Sequence, residues 1–350
     1  MSEALAILRV GVCCPVGLDA PQTAAALRAG VTRKSESFVV DRHFEPVVMG
    51  HLGEELLPAL DPKLRDWARG RGLEARMVRL AARPLRELFG QPFEGAALPL
   101  FLAAPEPGAD GAVHVGESFL PALARQSRRS LELPESRVFP LGGAGLFAAL
   151  AAAREQLASG RSKFVVVGGV DSYLDRGRLR ALEDAGRLRT TGPQDAFNPG
   201  EAGAFMLLTT AETCRRHGLH ALAWIGAVAQ AHQRDQALVQ EGLSAACQAV
   251  FAQTPANAEP VRLVLAGLNG ELRTAKEWSL AVLRGRGRFA EPLRLEHPAA
   301  NIGDAGAGLA PLMMATAALR LRAGIVPSPA LVWACSDDGL RGAALLYAGS

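Results

Sequence analysis

Few side chains in this 350-residue chain have the type and spacing to do chemistry. The thiols are Cys13, Cys14, Cys214, Cys247 and Cys335. Their odd number fits no disulfide framework and their spacing no metal knuckle. A chain of this length buries enough core without disulfides, so reduced thiols are expected. Cys13 and Cys14 fall at the first apolar run, and Cys214 and Cys247 on helical segments, where cysteine serves as a small buried hydrophobe. Cys335 ends an apolar run just before Ser336-Asp337-Asp338-Gly339 and is the candidate reactive thiol. His43, His51, His114, His217, His220 and His232 lack ligand spacing to an acidic partner, and His297, before Pro298, reads as structural. No metal and no cofactor is therefore expected. Asn269, Glu271, Arg273 and Glu277 gather around a strand end and a helix start. Open α/β sheets hold ligands at such ends, so Asn269, Glu271 and Arg273 are candidate pocket residues. Arg273 and Glu277, four apart, read as an ion pair on a helix surface.

The elements that position these groups follow from the hydrophobic pattern. Apolar residues make up 49% and charged residues 21%, which excludes a disordered chain. A net charge of +3 and 5% aromatics give no nucleic-acid signature. The arginine clusters Arg125-Gln126-Ser127-Arg128-Arg129 and Arg284-Gly285-Arg286-Gly287-Arg288 read as solvated faces and loops. Glu3 and Arg9 interrupt the opening residues, and Pro15 and Gly17 break them, so no signal peptide is read there. No apolar run reaches the ~18 residues of a membrane span. A cytoplasmic protein is expected.

Short apolar runs at 4–13, 98–104, 138–141, 163–169 and 203–210 read as strands, and segments 21–29, 73–89, 117–131, 145–159 and 212–217 as helices. Residues 31–70 read as polar and irregular. The second half repeats the grammar: strands at 222–231, 261–268, 293–296, 330–335 and 342–348, helices at 245–253, 272–283 and up to 322. A glycine-rich turn feeds a long Ala-rich helix both after Gly142 and after Gly303, and a late strand opens Gly-Ala at 203 and at 342. This is the mark of a duplicated α/β unit, with halves 1–220 and 221–350 in one compact body.

These segments resemble the thiolase-fold condensing enzymes, in particular the β-ketoacyl-acyl carrier protein synthases. The resemblance rests on Arg9-Val10-Gly11-Val12-Cys13-Cys14-Pro15-Val16-Gly17 and on the helix from Gly145 to Gly160. It also rests on Val165-Val166-Val167-Gly168-Gly169-Val170-Asp171-Ser172, on Phe197-Asn198-Pro199-Gly200-Glu201-Ala202-Gly203-Ala204, and on the turn from Gly303 to Gly308. It implies a duplicated five-layer αβαβα architecture with the helices after Gly142 and Gly303 at its centre. It also implies where the chemistry should sit. The acyl-carrying thiolate belongs at Gly142, and glycine forms no thioester. The first histidine belongs near Asn269 and the second at Asp304, where a carboxylate opposes the developing enolate. No lysine stands near 298–302, and the loop before the last strand reads Gly339-Leu340-Arg341-Gly342. Gly143, Glu271, Arg273, Asn301 and Cys335 complete the candidate pocket.

The resemblance thus implies a bacterial scaffold stripped of condensation chemistry that acts by binding or assembly. It would resemble a chain-length-factor subunit or an accessory protein of a secretion effector. The alternative is a 3-oxoacyl-carrier-protein synthase, or a related acyltransferase or hydrolase, with an atypical site. Expected partners are a second copy or a related subunit, with an acyl carrier protein or a secretion effector as further options. Pairing is expected through residues 163–167.

Overall fold

In the computed structural model, which describes residues 4–349 except 91, 92, 94, 109, 110, 193, 234–240 and 256, strands and helices alternate along the chain. The first half runs β1 (Leu5–Cys13), α1 (Ala20–Arg28), β2 (Ser35–Val40), β3 (Pro46–Met49), α2 (Gly72–Glu87), β4 (Leu100–Ala103), α3 (Phe119–Ser127), β5 (Arg137–Phe139), α4 (Gly145–Ala158), β6 (Val165–Ser172), α5 (Arg176–Asp184), β7 (Glu201–Thr210) and α6 (Ala211–His217). The second runs β8 (Ala223–His232), α7 (Gly242–Ala252), β9 (Val261–Ala266), α8 (Leu272–Arg284), β10 (Phe289–Glu296), α9 (Ala299–Ile302), α10 (Leu309–Arg322), β11 (Ala330–Cys335) and β12 (Leu340–Ala348).

Ten strands form one mixed sheet in the order β10-β9-β11-β12-β8-β1-β7-β6-β4-β5. Read outward from the middle, β1-β7-β6-β4-β5 and β8-β12-β11-β9-β10 have the same order, and the same pattern of antiparallel and parallel pairs. Leu5, Ala6 and Ile7 pair with Ile225, Trp224 and Ala223 where the two sets meet.

Alternate residues of each strand point to opposite faces, which builds the layers. Ile7, Phe101, Val165, Val167, Met206, Leu263, Val332 and Leu346 share one central core with α4 and α10. Leu8, Leu102, Val166 and Phe205 instead meet α2 and α3. Val264, Leu331, Trp333 and Leu345 meet α7 and α8. The result is five layers, helix, sheet, helix, sheet, helix. The α10 helix is buried almost all round, as a helix apolar on every side must be. Its entrance is tight: a Cβ on Gly308 would lie 2.2 Å from the Ala202 carbonyl oxygen.

Three expectations need correction. Residues 163–167 do not offer a free edge for a partner. β6 lies between β4 and β7, hydrogen-bonded to both, and every residue in it is buried. A run apolar on both faces marks a central strand, and a pairing edge would carry polar residues. Residues 31–70 are not merely irregular, since β2 and β3 form an antiparallel hairpin. Finally, α5 appears where no helix was read. Its Asp175 cap accepts from the Arg178 amide, and only Leu179 and Leu182 are buried. Two apolar positions are too few to raise a helical period.

Candidate functional site

The parallel strands of each half, β4, β5 and β6, and β9, β10 and β11, run toward a common cavity of about 450 Å³. β4 delivers Glu106, β5 delivers Gly142 and Gly143, and β6 delivers Tyr173. From the other half come Asn269 and Glu271 after β9, Cys335, Ser336 and Asp337 after β11, and Asp304 between α9 and α10. Arg178 and Arg187, in and after α5, complete the wall with Arg273 and His114.

Gly142, Asn269 and Asp304 therefore share one cavity, joined by Gly143, Glu271, Arg273 and Cys335. Asn301 stands apart, donating from its amide to the Val31 carbonyl at 3.0 Å. His297 is not among the lining residues.

At Gly142 the backbone has φ +61°, where L side chains are strained. The space beyond is also taken, since a Cβ there would lie 2.3 Å from Glu106 Oε1. Glu106 is anchored: its two oxygens accept from the Asp337 amide at 2.8 Å and the Asp338 amide at 3.1 Å. Burial, followed by the charge of Asp337, pushes its carboxyl up to about 7. Ser336 closes the turn, accepting from the Ala144 amide at 2.8 Å and donating to the Leu141 carbonyl.

Asn269 and Asp304, where the resemblance implies histidines, form a hydrogen-bonded amide and acid. Asn269 Nδ2 donates to Asp304 Oδ2 at 2.8 Å and to Glu271 Oε2 at 3.0 Å, and the Gly306 amide donates to Asp304 Oδ1 at 2.9 Å. Burial pushes Asp304 up to about 6, against those hydrogen bonds. Arg187 grips Glu271 with Nε at 2.6 Å and Nη2 at 2.9 Å, and reaches Asp337 Oδ2 at 2.7 Å. Asp337 also takes Arg273 Nη2 at 2.9 Å. Despite burial, Arg187 and Arg273 hold Asp337 below the usual carboxylate range. Arg178 pairs with Asp171 and lies 4.2 Å from the centre of the Tyr173 ring.

Two readings of single residues change. Arg273 and Glu277 do not pair with each other. Arg273 turns to Asp337, while Glu277 is fully buried against Arg341, at 2.7 and 2.8 Å. Helix spacing makes such a pair possible, but the β11–β12 loop and β12 itself supply better-placed partners. Cys335 lines the cavity, yet burial pushes its thiol far up, so it stays protonated and poorly nucleophilic. Among the described residues, no group of three or more His, Cys, Asp and Glu is arranged to hold a metal ion. No helix is long and apolar enough to cross a membrane.

Glu106, Tyr173, Arg178, Arg187 and Asp337 were not singled out from the sequence. One signal was available: Glu106 is a lone charge in Pro105-Glu106-Pro107 directly after a buried strand.

Residues 143–208 match the family model described as Beta-ketoacyl synthase, N-terminal domain. The match begins one residue after Gly142. Over its whole length the chain superposes on solved ketosynthases. This is a ketosynthase fold. The ishigamide ketosynthase/chain length factor matches with TM-score 0.77 and 13% identity, over 99% of this chain and 100% of that one. A type II polyketide synthase acyl-carrier protein in complex with its ketosynthase bound to the hexaketide gives 0.76 and 14%, over 99% and 100%. The ketosynthase from module 6 of the bacillaene synthase of Bacillus subtilis 168 gives 0.78 and 12%, over 98% and 72%. No curated protein matches the chain. Within the ketosynthase fold, Gly142, Asn269 and Asp304 surround the cavity where the strand ends of both halves converge.

Proposed function

We propose that this ketosynthase-fold chain does not condense acyl groups and works as a binding or assembly subunit. One observation carries the reading: at Gly142, where the resemblance puts the nucleophile, the anchored Glu106 carboxylate fills the space a side chain would enter. A thioester needs a thiol there, and the thiols of the chain are buried or raised in pKa. Asp304 in place of an imidazole would repel the carbanion that decarboxylation leaves.

The partner in this reading is a second copy or a related subunit, as in a chain-length-factor pair, or else a secretion effector that the chain escorts. An acyl carrier protein is the further partner. One of the similar structures contains such a carrier, and another is a ketosynthase/chain length factor. β5, at one end of the sheet, now replaces residues 163–167 as the proposed pairing edge. The reading further takes the chain as cytoplasmic, with halves 1–220 and 221–350 forming one unit.

A second reading keeps catalysis but changes its kind. Glu106, pushed up to about 7, and Asp304, pushed up to about 6, face one cavity. Such values suit acid–base work near neutral pH, as in hydrolysis.

Release of carbon dioxide from a malonyl-carrier substrate, with and without an acyl primer, decides against condensation if it stays at the no-enzyme blank. Turnover above that blank would sink the binding-subunit reading. Hydrolysis of an acyl-carrier thioester, lost in Glu106→Gln and Asp304→Asn, would favour the second.

A further inference from the structure

On the outer helical layer of the first half, α2 ends beside the end of α3. The last turns of α2 carry Arg83 and Arg86. α3 stops at Arg128, in the left-handed region with φ 54°, and Arg129 follows with its guanidinium 5.7 Å from the centre of the Phe89 ring. We infer that Arg83, Arg86, Arg128 and Arg129 form a binding site for a phosphate-type oxyanion. The inference stands apart from the question of condensation and uses none of the cavity residues.

Among the described residues, the four cations have little to balance them, and none makes an ion pair with a carboxylate. Two acids that feel these cations are committed elsewhere. Asp61 pairs with Arg125 Nε at 3.4 Å and also feels Arg128. Glu87 lies close enough to feel Arg83, but its Oε2 accepts from the Val12 amide at 3.3 Å. Burial lifts Glu87 to about 7, so it balances Arg83 only in part near neutral pH.

The Arg86 guanidinium lies close enough to feel the other three. Burial, and after it the charges of Arg128, Arg129 and Arg83, lowers the pKa of Arg86. Arg129 Nε is buried and has no hydrogen-bond partner. Two helix C-termini explain part of this arrangement, since each offers about half a negative charge. Arg86 Nε, for instance, donates to the Ala82 carbonyl at 3.3 Å. Two half charges offset about one of the four full ones and leave about three in excess.

A doubly charged oxyanion supplies both charge and acceptors. Guanidinium forks bind phosphate bidentately, and partial burial strengthens each contact. The patch is too small for a nucleic-acid track, and no aromatic ladder accompanies it. The phosphoryl group can be borne by a soluble small molecule or by a lipid headgroup.

The test uses the full chain at constant ionic strength. Inorganic pyrophosphate is titrated by calorimetry, and vesicles of phosphatidylglycerol are compared with vesicles of phosphatidylcholine by co-sedimentation. The site predicts saturable pyrophosphate binding at about 1 mM or tighter. Arg86→Gln with Arg129→Gln should weaken it about tenfold or more, and Arg215→Gln, on α6, should leave it unchanged. In chloride buffer free of phosphate and sulfate the double variant should melt higher than the wild type, because it relieves repulsion. Binding of phosphatidylglycerol vesicles that the double variant loses would assign the source to a lipid headgroup, and pyrophosphate binding alone would assign it to a soluble ligand. Absence of binding to both probes, or equal weakening by Arg215→Gln, would overturn the site.

Discussion

Gly142 meets any side chain with two obstacles, a φ of +61° and the Glu106 carboxylate. Installing the missing thiol with Gly142→Cys should therefore cost stability, about 1–3 kcal/mol in a urea melt. It should also leave carbon dioxide release at the blank, because Asn269 and Asp304 supply no imidazole. If the Glu106 obstacle matters, Glu106→Ala should recover part of the loss, giving a favourable coupling of about 0.5 kcal/mol or more in a double-mutant cycle. The same carboxylates set a pH dependence. Glu106 and Asp304 have folded values of about 7 and about 6, above their ordinary 4.5 and 3.8. A raised carboxylate favours the folded state most below its unfolded value and loses that contribution as pH rises through the folded one. Asp337, Glu54 and Glu296 are shifted the other way, and their contribution disappears only as pH falls. Thermal stability should therefore decline from pH 5 to 8, and Glu106→Gln should flatten that slope. An unchanged slope would show that Glu106 does not titrate in that range. At this scale the sequence showed the substitutions but not their company. Arg187 meets Glu271 and Asp337 from 84 and 150 positions away, and no local pattern announces such pairs.

At the scale of elements, the central helices and the strands that cover them carry the fold. Leu146 of α4 is fully buried, so Leu146→Ala should cost about 2–5 kcal/mol by chemical denaturation, whereas Glu155→Ala on the exposed side of that helix should stay within about 0.5 kcal/mol. The join between β12 and α8 is ionic. Arg341 and Glu277 have fully buried side chains, and removing one strands the other. Glu277→Ala should lose about 3–5 kcal/mol, while replacing both by apolar residues should cost far less. Most elements were legible because their burial is two-sided or strongly periodic. Val165-Val166-Val167 declared a strand, and the Ala-rich segments after Gly142 and Gly303 declared helices between layers. The position of that strand within the sheet was not legible, because pairing order depends on contacts far apart in the chain. The β2–β3 hairpin was missed for another reason. Its outer face exposes Phe38, Val40 and Val48, so the usual contrast between apolar and polar faces is blurred.

For the whole molecule, the strand order shows how far duplication has been kept: two sets of five strands repeat one pattern although their helices and loops differ. Light scattering on the purified chain should report twice the 36.8 kDa monomer mass if β5 pairs across a two-fold axis. A monomer at micromolar concentration would exclude the homodimer and leave only pairing with a related subunit. The junction of the two sets constrains how the molecule can move. β1 is hydrogen-bonded to β8, and across the cavity Arg187 and Glu106 of one half grasp Glu271, Asp337 and Asp338 of the other. These backbone and side-chain ties both oppose a hinged opening of one half away from the other. Arg187, partly exposed at the cavity wall, ties Glu271 to Asp337, and the strength of that cross-link should fall as ionic strength rises.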